Sequence, residues 1–160
     1  MRLHIQMSKI DGSPGFLLHQ AFFRMKHSLF LAFKKKGFSI THEHWSVLRL
    51  LWKEDRLSQA RIAEKLKKDR PNITRIVDVL VKNGYAKRTI DPDDRRIQNV
   101  SLTRKGKSIQ ETLTESAMDV LDQAFAGVSQ EDYDTFMNIL NKVIQNLNHS
   151  HHSIKKGETP

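Results

Sequence analysis

Hydrophobic residues between positions 70 and 82 recur at every third or fourth residue, which is the spacing of one face of an α-helix. The members of this stripe are Ile73, Ile76, Val77, Leu80 and Val81. A second stripe over residues 58–66 predicts a shorter helix before it, and only residues 67–69 separate the two. Two short helices joined by a tight turn are typical of a helix-turn-helix, whose second helix enters the major groove of DNA.

The residues after this pair of helices predict a β-hairpin. Gly84 occupies a position where helices commonly end in a left-handed conformation. Residues 85–90 and 98–102 are typical of two strands, and Asp and Pro in the polar segment between them favour a turn. Because a helix-turn-helix followed by a basic hairpin is a winged helix, we predict a mainly α protein with a small antiparallel β-wing.

Four further helices complete a predicted six-helix protomer. An apolar, aromatic-rich stripe over residues 16–37 predicts the first of them. Thr41 is placed to cap the next helix, Thr103 to cap a long helix after the hairpin, and Ser129 to cap the last.

The order of these elements divides the chain into segments with different predicted roles. Residues 38–103 form the winged-helix lobe, residues 1–15 a flexible arm and residues 149–160 a disordered tail. The helices of residues 16–37 and 104–148 carry more apolar surface than one small lobe covers. We therefore predict a homodimer formed through the N- and C-terminal helices, since two-fold dimers are the commonest oligomers. The alternative is that these stripes are intramolecular core.

Several motifs are recognisable in the winged-helix segment. They are Ser58-Gln-Ala-Arg-Ile-Ala-Glu-Lys-Leu66, Asp69-Arg-Pro-Asn-Ile-Thr-Arg75, Lys82-Asn-Gly84, and Asp91-Pro-Asp-Asp-Arg-Arg96 followed by Val100-Ser-Leu-Thr103-x-x-Gly106. Together they resemble the MarR family of bacterial transcription regulators, and the resemblance extends over residues 16–148. It implies a dimer with interlocking terminal helices, two winged lobes, a repressor role and release of DNA by a bound ligand.

The charge distribution agrees with a nucleic-acid partner. The chain has a formal net charge of +9, and residues 49–107 carry 17 basic against 8 acidic side chains. Residues 108–150 are acidic, with one basic and seven acidic side chains. A basic block that coincides with the helix-turn-helix predicts a surface for double-stranded DNA.

The second helix of the motif supplies candidate contacts to base edges. Asn72 is suited to adenine, Arg75 to guanine, and Thr74 to a thymine methyl group or a phosphate. Arg70 is placed for a base edge or a phosphate, and Ser58 and Gln59 at the preceding helix start for phosphate. The alternative for these residues is an ordinary solvated helix face.

The wing supplies further candidates. Arg95 and Arg96 are placed for a minor groove, whose negative potential attracts guanidinium groups. The resemblance implies that one of them pairs with an Asp to shape the hairpin, and we favour Arg96 for the groove. Lys87 and Arg88 on the first wing strand are predicted phosphate contacts, and lower-ranked ones follow the wing: Arg104, Lys105 and Lys107.

Effector and metal binding have weaker support. The resemblance implies a small aromatic or anionic effector held between the dimer helices and the lobe, and His19, Phe23 and Trp45 are compatible with lining such a site. Ordinary core or interface packing is the stronger interpretation of these three. The pairs His42-x-His44 and His149-x-His151-His152 have possible ligand spacing, but we predict no metal, because the first pair points to different faces of a helix start.

Composition and missing motifs exclude other classes of protein. The chain has no cysteine, which rules out disulfide and thiol chemistry. It has no phosphate-binding loop and no nucleophile elbow, so we predict neither an enzyme nor a cofactor. The absence of a long apolar run and of a signal-peptide core predicts a cytoplasmic protein without membrane contact.

We therefore predict a sequence-specific, homodimeric, ligand-responsive repressor that binds a pseudo-palindromic operator. Two alternatives remain from the sequence. One is an architectural nucleic-acid-binding protein with little sequence preference, and the other is a winged helix that binds proteins instead of DNA.

Overall fold

The computed structural model describes residues 12–155, with side chains to residue 148, and these residues form seven helical segments and one three-stranded antiparallel sheet. The helices are α1 (Pro14–Lys35), α2 (His42–Lys53), α3 (Gln59–Leu66), α4 (Arg70–Lys82), α5 (Arg104–Ser108), α6 (Gln110–Ala124) and α7 (Gln130–Lys155). The strands are β1 (Arg56–Ser58), β2 (Ala86–Ile90) and β3 (Gln98–Leu102). The predicted mainly α fold with a small β-wing is confirmed. The single long helix predicted after the wing is interrupted at Ile109, which divides it into α5 and α6.

The apolar stripes found in the sequence meet in one core within the first of two compact units, which divide after Leu121. Ile73, Val77 and Leu80 of α4 are fully buried there, as is Ile62 of α3. The predicted buried face of α4 is therefore confirmed, with Val81 half-buried at its edge.

Side-chain caps fix where the helices of this unit begin. The Thr41 hydroxyl accepts a hydrogen bond from the His44 amide, and His44 Nδ1 accepts one from the Thr41 amide at 3.1 Å, which closes a capping box. Asp69 Oδ1 accepts from the Asn72 amide at 2.7 Å, and Pro71 lies in the first turn, where its missing N–H leaves no bond unmade. The predicted starts of α2 and α4 are confirmed.

The first helix begins earlier than expected. The cluster Gly12-Ser13-Pro14-Gly15 lies at the end of the predicted flexible arm, yet Ser13 is an N-cap that accepts from the Phe16 amide at 3.3 Å. Proline at the first helical position is favoured by its fixed φ, so the same residues start α1 instead of preceding it. The predicted arm therefore loses residues 14 and 15 to the helix, and residues 1–11 lie outside the described part of the chain.

The second unit contains the end of α6 and helix α7. Within it, the Phe125 ring packs edge-on against Tyr133, with 4.9 Å between centroids, and lies 5.9 Å from Phe136. The helix α7 continues to Lys155, past the predicted end at residue 148, and residues 156–160 of the predicted disordered tail lie outside the described residues.

The sheet contains a strand that the sequence did not predict. The three residues of β1 pair with β3, with Leu57 opposite Val100, so that β3 lies between β1 and β2. A strand of three residues is too short to show the alternation of apolar and polar side chains by which strands are found in a sequence. The additional strand attaches the wing to the start of α3.

A close backbone contact joins the wing to α5. A Cβ atom on Gly106 would lie 1.9 Å from the Tyr85 carbonyl oxygen, so no larger residue fits there without backbone movement. The Gly106 carbonyl accepts a hydrogen bond from Trp52 Nε1 at 2.9 Å, which connects the same point to α2. This contact explains the glycine of the Leu-Thr-x-x-Gly motif.

We expect Gly106→Ala to lower the free energy of unfolding by about 3 kcal/mol or more, because the methyl group meets backbone atoms that cannot rotate away. Urea denaturation measures this change. The control is Gly15→Ala in α1, where a Cβ meets nothing within 4 Å and helix propensity improves. Equal losses in the two variants would contradict the assigned role of Gly106.

Candidate nucleic-acid interface

A tight turn holds α3 and α4 in a fixed relation. Lys67 ends α3 in the left-handed conformation with φ +50°, and its amide donates to the carbonyl groups of Ala63 and Glu64. The next helix is capped by Asp69, so only three residues connect the two. Glycine usually occupies such a left-handed position, but here the residue is Lys67. The sequence therefore indicated the turn only through the spacing of the flanking helices.

The solvent side of α4 carries polar groups that are free to contact another molecule. Arg70, Asn72 and Arg75 are exposed, and their side chains form no hydrogen bond or ion pair within the described part of the protein. The hydroxyl of Thr74 differs from these, because its single proton is shared between Gln59 Oε1 at 3.2 Å and the Arg70 carbonyl at 3.0 Å. Three of the four predicted base-contact residues thus present unpaired groups.

Several predicted phosphate contacts, Arg88 and Ser58 among them, already have intramolecular roles. Arg88 forms an ion pair with Asp78 at 2.6 Å and also donates to the Thr74 carbonyl at 3.4 Å, which ties β2 to α4. The Ser58 hydroxyl caps α3 by accepting from the Arg61 amide at 3.2 Å. Lys87, next to Arg88, is exposed and forms no such bond with any residue that the structure describes. Arg88 therefore positions the wing strand, and Lys87 is the one of the pair with a free charge.

Asp91 organises the turn at the tip of the wing, which comprises β2, β3 and residues 91–97. Its carboxylate accepts from Asn99 Nδ2 at 2.7 Å and from the amides of Asp93 and Asp94 at 3.1 and 3.4 Å. These bonds, that of Asn99 above all, lower the pKa of Asp91 from its ordinary value. Asn99 is a buried polar residue that sequence reasoning missed, because its partner lies eight residues away across the hairpin.

The two wing arginines have different surroundings. Arg96 donates from Nε and Nη2 to Asp94 at 3.0 and 2.9 Å, and its amide donates to the same carboxylate at 2.9 Å, although its side chain is 90% exposed. This pairing lowers the pKa of Asp94. Arg95 is exposed and forms no hydrogen bond or ion pair with any described residue. The hairpin-shaping pair thus falls on Arg96, the arginine that we favoured for the minor groove, and Arg95 is the free one.

Comparison with known proteins identifies relatives of this chain. The MarR family model matches residues 40–98. The chain is 34% identical over 110 residues to the HTH-type transcriptional regulator PapX of Escherichia coli, which covers 68% of this chain and 67% of that protein. It is 30% identical over 112 residues to the HTH-type transcriptional regulator SarZ of Staphylococcus saprophyticus, covering 69% and 77%. The chain belongs to the MarR family.

Solved structures agree with this assignment. A probable transcriptional regulator from Pseudomonas aeruginosa superposes with a TM-score of 0.74 at 29% identity, covering 83% of this chain and 98% of that one. A mutant MarR from E. coli complexed with operator DNA superposes with a TM-score of 0.75 over 81% and 91% of the two chains; at 24% identity it shows the shared fold. The predicted family and fold are confirmed.

The predicted effector residues of this MarR-family protein do not share one pocket. Phe23 lines a hollow of about 290 Å³ with Lys26, His27 and Phe30, whereas Trp45 lines a neighbouring hollow of about 190 Å³ with Phe22 and Met25. His19 is exposed and lines neither. The two hollows have Lys26 and His42 in common.

The histidines near α2 have separate partners. His42 packs edge-on against Phe22 at 5.3 Å, whereas His44 closes the capping box with Thr41. Among the residues that the structure describes, no three metal-ligating side chains come together, and the side chains of the later histidine cluster lie outside them. Within the same residues, no helix is both long and apolar enough to cross a bilayer.

A charged pair joins α1 to α2 beside these hollows. Lys26 Nζ donates to Glu43 Oε1. Burial alone would raise the pKa of Glu43, but this hydrogen bond and those from backbone and Thr41 outweigh it, so that the pKa falls to about 2. Because Glu43 has its ordinary pKa in the unfolded chain, the unfolded protein takes up this proton at a higher pH than the folded protein does.

We expect the Lys26–Glu43 pair to make unfolding pH-dependent in the acid range. Its stabilisation is complete above the ordinary pKa of 4.5 and is lost as the pH falls toward 2, since protonation then removes the ion pair. Urea denaturation at about pH 6 and about pH 3.5 should show a smaller acid loss for Lys26→Met than for the parent protein. In a Glu43→Gln background, Lys26→Met should leave the pH dependence unchanged, and a further reduction there would contradict the assignment.

Proposed function

We propose that this protein is a homodimeric transcription regulator that binds a pseudo-palindromic operator in the cytoplasm and releases it when a small effector binds. The observation that carries the proposal is the solvent face of α4, where Arg70, Asn72 and Arg75 present unpaired polar groups beside a basic wing. A helix with such a face is the part of a helix-turn-helix that reads the major groove. The operator complex of a MarR mutant from E. coli, a structural neighbour, supports the same use of the fold.

The roles proposed for individual side chains follow from their chemistry and from what they already bind. Arg75 has two donors that match the O6 and N7 acceptors of guanine. Asn72 has the acceptor and the donor that match N6 and N7 of adenine. Thr74 uses its hydroxyl within the protein, so its methyl group is the part left for a thymine contact. Among the wing residues, Arg95 is the first choice for the minor groove, because no ion pair has to break before its guanidinium enters.

The apolar surfaces of the terminal helices support the homodimer. In α1, Phe22 is 52% and Phe23 63% exposed. Several large apolar residues of α7 are also exposed: Phe136, Met137, Ile139, Val143, Ile144 and Leu147. A contiguous apolar helix face is normally buried by a partner, and a second copy of the chain is the partner that a palindromic operator requires.

An effector response is the finer part of the proposal. The hollow lined by Trp45 lies beside a Trp45–Trp52 contact of 5.3 Å, and Trp52 is bonded to the Gly106 carbonyl at the base of the wing. A molecule that binds more tightly to one arrangement of these groups would shift the wing and weaken DNA binding by that difference in affinity. The hollow beside Lys26 and His42 is suited to an aromatic or anionic compound.

Selection of duplexes from a random pool tests the core of the proposal. We expect a palindromic winner with half-sites about 10 base pairs apart. It should be preferred over scrambled DNA by about 10³-fold or more. Binding without preference but with a steep salt dependence would favour an architectural protein. Failure to bind any duplex would favour a protein-interaction module.

Substitutions in α4 test the base contacts. We expect Asn72→Ala and Arg75→Ala each to cost about 1–3 kcal/mol on the selected site and much less on scrambled DNA, because base contacts carry the sequence preference. Fluorescence anisotropy titration measures both affinities. Arg24→Ala, an exposed arginine of α1, is the control and should bind as the parent does. Parent-like affinity in the Asn72 and Arg75 variants would contradict these roles.

A single charge on α7 tests the dimer. We expect Ile144→Asp to yield monomers and weak operator binding, because a carboxylate would be buried in an apolar interface. Light scattering during size-exclusion chromatography measures the mass. Asn138→Asp adds the same charge to an exposed position on the opposite side of α7 and should remain dimeric. A dimeric Ile144→Asp variant would place the interface elsewhere.

A further inference from the structure

An open groove of about 370 Å³ separates the start of α4 from the wing. The side chains that line it include Gln59, Arg70, Thr74, Arg96, Ile97 and Gln98. Its volume lies in the range of ligand sites, but most of these side chains are polar. The groove therefore offers several polar groups to a polar chain.

A chain of hydrogen bonds crosses this groove from the helix to the wing. The Thr74 hydroxyl donates to Gln59 Oε1 at 3.2 Å, and Gln59 Nε2 donates to Gln98 Oε1 at 3.1 Å. The chain joins α4, α3 and β3, so it sets the separation between recognition helix and wing. It leaves the two N–H groups of Gln98 Nε2 without a described partner, and these are donors for a ligand.

The charges of the groove favour an anion. Arg70 and Arg96 line it, and none of its lining residues is acidic. Arg96 shares its charge with Asp94, whereas Arg70 has no ion-pair partner among the described residues. Two guanidinium groups and a free amide donor around a polar groove are the groups that bind phosphate oxygens.

The geometry of duplex DNA identifies the anion. One sugar–phosphate strand separates a major groove from the adjacent minor groove, so a protein with α4 in the first and its wing in the second must straddle that strand. We propose that the groove between α4 and the wing seats this strand, with Gln98 Nε2 donating to a phosphate oxygen and Arg70 and Arg96 on either side. The inference rests on the proposed DNA binding and adds Gln98, which sequence reasoning did not single out.

Gln98→Glu is a sharp test, because a glutamate oxygen still accepts from Gln59 Nε2 and the hydrogen-bond chain survives. The variant replaces the free donor with a negative charge facing the phosphate. We expect affinity for selected and scrambled duplexes alike to fall about tenfold or more. Gln110→Glu makes the same charge change at an exposed position of α6 and should change affinity by less than about twofold. Urea denaturation verifies that both variants are folded.

Neutral methylphosphonate groups, introduced one at a time into the selected duplex, locate the phosphate. In the parent protein, we expect one position per half-site, between the base-contact region and the minor groove, to weaken binding. With Gln98→Glu, the same replacement should restore affinity, because it removes the repulsion. A Gln98→Glu variant that binds like Gln110→Glu, or that no phosphate position rescues, overturns the groove assignment.

Two further outcomes are distinguishable. Duplex affinity and phosphate binding are measured in inorganic phosphate and in chloride at equal ionic strength, because the two salts then screen charge alike. If phosphate binds to the parent but not to Gln98→Glu and leaves the duplex affinity of the parent unchanged, the groove is a site for free anions and the strand assignment is overturned. If the parent binds no duplex at all, the proposed function itself fails, whereas parent binding with an unaffected Gln98→Glu overturns only the present inference.

Discussion

Thr103 and Gly106 hold the wing against the rest of the winged-helix lobe. Thr103 donates from its amide to the Tyr85 carbonyl at 3.0 Å and from its hydroxyl to the Gly84 carbonyl at 2.5 Å, and it accepts from the Gly106 amide at 3.0 Å. Gly84 follows the recognition helix directly. The end of α4, the start of β2 and the start of α5 therefore meet at one point, and the distance between recognition helix and wing depends on it.

The polar side chains around α4 and the wing divide into those that set geometry and those that are free. Arg88 and Arg96 are held by Asp78 and Asp94, so each of these arginines has an ion pair in place within the protein. Arg75 and Arg95 form no ion pair with any of the described residues. Because Asp78 and Asp94 are partly exposed, each pair contributes little to stability, and a free side chain avoids even that small cost when it binds DNA. Arginines thus serve two purposes here: some fix the geometry of the wing, and others are free to bind DNA.

The sequence predicted what depends on neighbouring residues and missed what depends on distant ones. Caps such as Asp69 act over three residues, and the stripe of α4 repeats every third or fourth residue, so both are visible in the chain itself. The Gln59–Gln98 bond joins residues 39 positions apart, and no local pattern announces it. The sequence also could not show which of Arg95 and Arg96 pairs with Asp94, because Asp94 is close in sequence to both. Gly106 was recognised as part of a motif, but only the structure shows that the nearby Tyr85 carbonyl leaves no room for a larger residue there.

A protein that reads two grooves at once is sensitive to small changes in the spacing between its contacts. Here that spacing is set by short polar bonds across the groove and by the backbone contact at Gly106, to which the Trp45–Trp52 pair is connected. Coupling energies between allosteric sites are typically about 1–3 kcal/mol, comparable to the loss of one or two base contacts. Under the proposed function, an effector therefore need not unfold or block the DNA-binding face. It is enough that its preferred arrangement moves the wing out of register with α4.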